Sequence, residues 1–374
     1  MENNVNTNSR EKLMMHGKTN FDIFDSALAC IMFIVISLVF TYSFKFSGIK
    51  VKSGSFGYFL LQALLEATFA VAAMVVVWTR KKNALTDTGM KSKVNGRIVG
   101  VCFCISLLAI FGFGSLTNVF MELLTVLGYS SILGNINIAN LAQYFGYIIS
   151  SCVIAAFCEE FLFRGVILSG FRKFGLRVAV LCSATIFMLM HGNAEQTIHQ
   201  FIIGALIGYI FFMTNNLWIG FFIHMFNNLI PITEAYLITL VDSNKVATAA
   251  ESAAETATVN IGLGTVIIDL IFALAFAWAG LYFIKMLIKI LIKENEKING
   301  VKNANDAVTS IVVDGSEQAV EMSIDDTVIV DETGGEVTVC EKPKISRAAV
   351  ILFVLSGLYL VYTWMINTIA GFLI

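Results

Sequence analysis

Charge and proline are what this chain has least of. Of its 374 residues only 14% are charged and two are proline, while 57% are hydrophobic. A soluble globular chain carries about a quarter charged residues, so this composition belongs in lipid. The mean hydropathy of +0.78 agrees. A formal net charge of −2, with no basic patch interleaved with aromatics, gives no footprint for nucleic acid. The seven cysteines show no Cys-x-x-Cys pairing, and six lie in or beside apolar runs, so they read as buried reduced thiols. The polar start carries no cleavable apolar core, so no signal peptide is expected. No internal repeat marks a paired-half transporter.

What the chain does have is long apolar runs. A helix crossing a bilayer needs about 20 mostly apolar residues. Runs of that kind fall at about 26–44, 57–78, 98–118, 143–171, 177–194, 197–213, 217–241, 261–285 and 347–372. The expected fold is an all-α polytopic membrane protein of about nine transmembrane helices, with 119–141 able to add a re-entrant or interfacial segment. Lys and Arg gather after the second run (Arg80, Lys81, Lys82, Lys91, Lys93, Arg97), the fourth (Arg172, Lys173, Arg177) and the eighth (Lys285, Lys289, Lys293, Lys297). Positive charge stays on the cytoplasmic side, so a multi-pass cell-membrane protein is expected, with its amino terminus cytoplasmic and its carboxyl terminus extracellular.

Residues 294–346 interrupt the pattern. They open on a charged stretch and then alternate apolar and polar residues around Asp-Gly and Gly-Gly, which reads as short β hairpins in a small cytoplasmic insert. The organisation expected is therefore a tail (1–25), amino-terminal transmembrane helices (26–142), a catalytic transmembrane core (143–241), an eighth helix with its flanking loop (242–293), the insert (294–346) and a last helix (347–374).

Few ionisable groups fall inside the runs, and such groups mark function because each costs several kcal/mol in lipid. The stretch "AAFCEEFLFRGV" holds Glu159, Glu160 and Arg164; "FMLMH" holds Phe187 and His191; "HMFNN" holds His224 and Asn228. Glu160 and Arg164 stand four apart and can pair on one helix face, while Glu159 is turned about 100° away. At 1.5 Å per residue, Glu159 lies about 20 Å from the basic turn at Arg172, and His191 about 21 Å from Arg177. His224 and Asn228 lie about 12 and 18 Å past the polar turn at Asn215–Asn216. Three helices thus bring polar groups to a similar depth.

A carboxylate near a histidine can take a proton from water, and a second histidine with an asparagine amide can donate to the oxyanion formed when water attacks a carbonyl. No embedded Ser or Cys has an obvious base partner, which disfavours a covalent nucleophile. Glu with two His is also a zinc ligand set, so Glu159, His191 and His224 are candidate metal ligands. Glu66 and Asp269 look isolated in their runs, and His199 reads as an interface residue near a helix end.

In order and spacing these three motifs resemble the CAAX-protease and bacteriocin-processing family of intramembrane proteases, whose pattern is EExxxR, FxxxH and HxxxN or HxxxB on successive core helices. The resemblance covers about 150–235. It implies an intramembrane endopeptidase with Glu159 as general base for water and His191 assisting it or binding zinc. It also implies an oxyanion site of His224 and Asn228, with Glu160, Arg164 and Phe187 in support. Both a metalloprotease and a metal-free glutamate mechanism have been argued for the family. The partners implied are the bilayer and a peptide or protein substrate in or at the membrane, prenylated or bacteriocin-like. The alternative is a catalytically idle membrane immunity or scaffolding protein that binds a peptide in the same cavity. An ion-coupled transporter is the weaker third reading.

Overall fold

The computed structural model describes residues 20–133, 138–241, 263–300 and 345–374. Among them are nine helices of 15 residues or more and no strand. In chain order they are α1 (Ile23–Ser47), α2 (Phe56–Thr79), α3 (Gly96–Val126), α4 (Leu141–Phe174), α5 (Leu176–Met190), α6 (Thr197–Thr214), α7 (Leu217–Leu240), α8 (Leu263–Asn299) and α9 (Arg347–Leu373).

Each expected run is helical, but seven, not nine, are both long and apolar enough to span. The two that fall short are the ones that place His191, just past the end of α5, and His224, on α7. At 15 residues α5 is about 22 Å long, less than the roughly 30 Å hydrocarbon core. At 24 residues α7 is long enough, but His224, Asn227, Asn228 and Glu234 dilute its apolar content. The hairpins expected in 294–346 lie at 301–344, outside the described residues, and α8 itself continues to Asn299.

Starts and stops follow local chemistry. The side chains of Asp22, Ser55, Asn95, Asn140, Asn216 and Ser346 each accept a backbone N–H in the first turn of α1, α2, α3, α4, α7 and α9. Gly175, at φ +89°, makes the sharp reversal between α4 and α5.

Two apolar cores flank the site. One joins α1, α2, α4, α5 and α6 around Phe163, Phe187 and Phe211; the other joins α3, α6, α7 and α8 around Ile105, Ile207, Ile223 and Ile284. Helices α3 and α8 approach so closely at Gly112 and Gly280 that a Cβ on Gly112 would stand 3.2 Å from the Gly280 Cα, the kind of contact that drives helix association in lipid. The outer faces of α8 and α9 expose Ile271, Phe272, Trp278, Ile351 and Leu358, as lipid-facing surfaces do. Of the six cysteines described, four are buried, Cys182 is half-buried and Cys104 is exposed on the outer surface of α3.

The segments grouped by their positive charge meet at one end of the bundle. Asn216 Nδ2 donates to the Lys93 carbonyl (3.0 Å) and to Asn295 Oδ1 (2.8 Å), Trp218 Nε1 to the Met90 carbonyl (2.9 Å), and Arg172 to Asn215 Oδ1 (3.1 Å). Loops that share this end sit on one side of a membrane.

Candidate active site

The site begins with an irregularity in α4. Its residues Ile148–Ile154 and Phe161–Leu168 form wide π-helical turns on either side of a regular stretch, Ala155–Glu160. Such turns are rare and gather at functional sites; here they bracket the two glutamates.

Glu160 is fully buried. Its Oε1 accepts from Arg164 Nη1 at 2.7 Å and from His224 Nδ1 at 2.9 Å. Arg164, also fully buried, gives its other arm to the Gly204 carbonyl at 3.1 Å and lies 4.8 Å over the Phe187 ring. Gly220 makes room for the pair: a Cβ there would stand 2.8 Å from Glu160 Oε2.

Glu159 is buried as well, but Arg164 does not reach it. Its Oε2 has no hydrogen-bond partner among protein atoms and stands 3.9 Å from His224 Nε2. His224 therefore lies between the two acids, held by Glu160 and facing Glu159. Phe187 is the centre of the packing around them, edge-on to Phe163, His191 and His224 at centroid distances of 4.8, 4.8 and 5.8 Å.

His191 is placed by the shortness of α5. It caps the helix, its Nδ1 2.8 Å from the Phe187 carbonyl. The chain then turns, and side chains take up the backbone groups that the helix end leaves open. Asn193 Nδ2 donates to the His191 carbonyl (2.9 Å), Asn193 Oδ1 accepts from Gln196 N (2.9 Å), and Asn367 Nδ2 donates to the Gly192 carbonyl (2.6 Å). Asn228 Nδ2 donates to the Ser151 carbonyl at 3.0 Å, inside the first wide turn of α4.

Two acids expected to be isolated have neighbours. Glu66 is not isolated: it lies on the α2 face that packs against α4, within electrostatic reach of Glu159. Its neighbours on that face follow helical spacing, with Gln62 Nε2 donating to Ser151 Oγ (2.8 Å) and Phe69 against Phe163. His199, in the first turn of α6, accepts at Nε2 from Asn227 Nδ2 at 3.0 Å, one turn from His224. Asp269 pairs with Glu122 of α3 rather than with the core helices. Glu66 was legible in sequence only as a lone acid in an apolar run; its partner depends on how α2 docks.

Among the described residues no group of three or more His, Cys, Asp or Glu is gathered so as to hold a metal ion. His224 Nδ1 is engaged by Glu160 and His191 Nδ1 by a carbonyl, which leaves the two Nε2 atoms as the donors facing the site.

The bundle thus holds a buried Glu–Glu–Arg–His cluster, its acids and arginine on α4 and its histidine on α7, among helices long and apolar enough to cross a membrane. Residues 141–230, which span α4 through most of α7 and hold all three motifs, match the family model of the Rce1-like type II CAAX prenyl endopeptidases. That match agrees with the CAAX-protease and bacteriocin-processing resemblance and supports, at family level, a CAAX-type intramembrane protease. No curated protein and no solved structure matches the chain.

Proposed function

We propose that the chain is an intramembrane endopeptidase that hydrolyses a peptide bond with water activated by Glu159. The observation that carries this reading is the unequal treatment of two adjacent acids. Glu160 has one oxygen, Oε1, held by both Arg164 and His224 and the other, Oε2, buried without a partner beside Gly220, whereas Glu159 has no hydrogen bond from Arg164 and turns an unbound Oε2 to within 3.9 Å of His224 Nε2. That gap is too long for a direct hydrogen bond, and one water oxygen at about 2.8 Å from each atom spans it.

In the proposed step Glu159 takes one proton from that water as its oxygen bonds to the scissile carbonyl carbon. In this step His224 is the imidazolium: its Nδ1–H is anchored on Glu160 and its Nε2–H donates to the oxyanion, while Asn228 supplies a second donor by releasing the Ser151 carbonyl. Glu159 then passes its proton to the leaving amine as the C–N bond breaks. His191, across the Phe187 ring, assists by lining the site. No step needs a metal. The substrate is a peptide or protein in or at the membrane, of the prenylated or bacteriocin-like type. The amino terminus and the basic end of the bundle face the cytoplasm.

The test is peptidomics of cells lacking the protein, complemented with wild type or Glu159→Gln. Fragments that return only with wild type support proteolysis and name the substrate. Equal rescue by both, with no peptide differing, sinks the reading and leaves an idle binding or immunity protein.

A further inference from the structure

Helix α8 has more length than a bilayer needs and more positive charge than its neighbours answer. Its 37 residues make about 55 Å of helix, against a hydrocarbon core of about 30 Å. Lys285, Lys289, Lys293 and Lys297 recur every fourth residue, so they form one ridge, and all four are exposed. Between Asp269 and Glu294 the helix holds no acid. Glu294 turns to α3, where it accepts from Asn95 Nδ2 at 3.0 Å and pairs with Arg97 at 3.5 Å. Among the described residues, no acid pairs with a lysine of the ridge.

Packing fixes the depth of this ridge. Gly112 meets Gly280, and Lys93 N donates to Asn299 Oδ1 at 2.7 Å; the two contacts stand 19 residues apart on each side, so α8 runs against α3 in a single register. Asn295 lies in the same seam, accepting from Asn216 Nδ2 at 2.8 Å and donating to the Thr214 carbonyl at 3.2 Å. Helix α8 therefore cannot slide to lift its lysines into water. Counted from Asn295, level with the polar turn that starts α7, Lys293, Lys289 and Lys285 lie about 3, 9 and 15 Å deeper. Tyr282, Phe283, Met286 and Ile290 are exposed beside them. A lysine among lipid-facing apolar residues extends its stem toward the membrane surface. An ammonium at that depth without a counter-charge is penalised.

We propose that the ridge is a binding surface for anionic phospholipid at the basic end of the bundle. The headgroup phosphate meets Lys285, Lys289 and Lys293, and the acyl chains lie along Tyr282, Phe283 and Met286. Charge complementarity and depth both favour this occupant. The chain itself supplies a competitor, residues 301–344, with ten acids against three lysines. To reach Lys285 an acidic segment would have to pass into the acyl layer, which a phospholipid already occupies.

Native mass spectrometry of the full chain, released from nanodiscs of phosphatidylcholine and phosphatidylglycerol in equal parts, tests this. Wild type should retain phosphatidylglycerol in excess. Lys285→Gln combined with Lys289→Gln should cut that excess about fivefold for each lysine removed. Lys81→Gln combined with Lys91→Gln, which removes the same charge from other exposed positions at that end, should leave it unchanged. A phosphatidylglycerol carrying a headgroup diazirine needs no variant and should label wild type within 281–293. Equal retention of the two lipids, equal loss in the two variant pairs, or label elsewhere overturns the proposal. Zero-length coupling of Lys285 or Lys289 to an acid of 301–344 in the same nanodiscs overturns it too, and gives the ridge to the chain's own segment.

Discussion

Separating the two adjacent glutamates by stability is the sharpest check on the site. Glu160 is fully buried and accepts from two groups, so Glu160→Gln leaves the Arg164 guanidinium buried without its counter-charge and removes the anchor of His224. Removing one partner of a buried ion pair costs about 3–5 kcal/mol, roughly a hundredfold to a few thousandfold in the folded-to-unfolded ratio. Arg164→Met should cost a similar amount because it strands Glu160. The double variant should recover much of the loss, since an apolar replacement of the whole pair is often near neutral. Glu159→Gln breaks no ion pair to Arg164 and should change stability by less than about 1 kcal/mol while abolishing hydrolysis. Equilibrium unfolding of the four variants in lipid nanodiscs, treated as a double-mutant cycle, measures the coupling directly. Additive single-variant losses, or Glu160→Gln as stable as wild type, would show that the pair does not hold the site together and refute the division of labour between the two acids.

Other outcomes follow from single contacts. Gly220→Ala puts a Cβ 2.8 Å from Glu160 Oε2 and 3.0 Å from Ile207, and should destabilise by about 1–3 kcal/mol with loss of activity, read by the same unfolding assay. An apolar maleimide applied to the folded protein should label Cys104, which is exposed, and spare buried Cys102 and Cys152, as peptide mapping would show. Burial, with Glu195 beside it, pushes the Tyr129 phenol up to about 12 from its usual 10.0. The unfolded phenol then ionises first, so stability should fall as pH rises from about 10 to about 12, and Tyr129→Phe should remove that part of the decline in pH-dependent unfolding. On the proposed glutamate mechanism, activity should survive dialysis against a strong chelator; loss restored by zinc would overturn it.

Composition and periodicity decided most of the fold. Low charge and long apolar runs leave helices as the structure that satisfies its own backbone in lipid, and α1 to α9 lie where the runs are. Charge spacing alone was enough to pair Glu160 with Arg164, because four residues on a helix is a local distance. Motif order placed the catalytic stretch on α4 to α7, where the family match falls. What the sequence could not decide are relations between helices that no local spacing encodes. That α5 is too short to span, so that His191 sits at a helix end held by Asn193 and Asn367, depends on where the chain turns. The wide turns around Glu159 and Glu160 have no signature in residue type. Glu66, nearly a hundred residues from Glu159, reads as a stray acid until α2 docks on α4, because the charge balance of a buried cluster is a property of everything that packs around it.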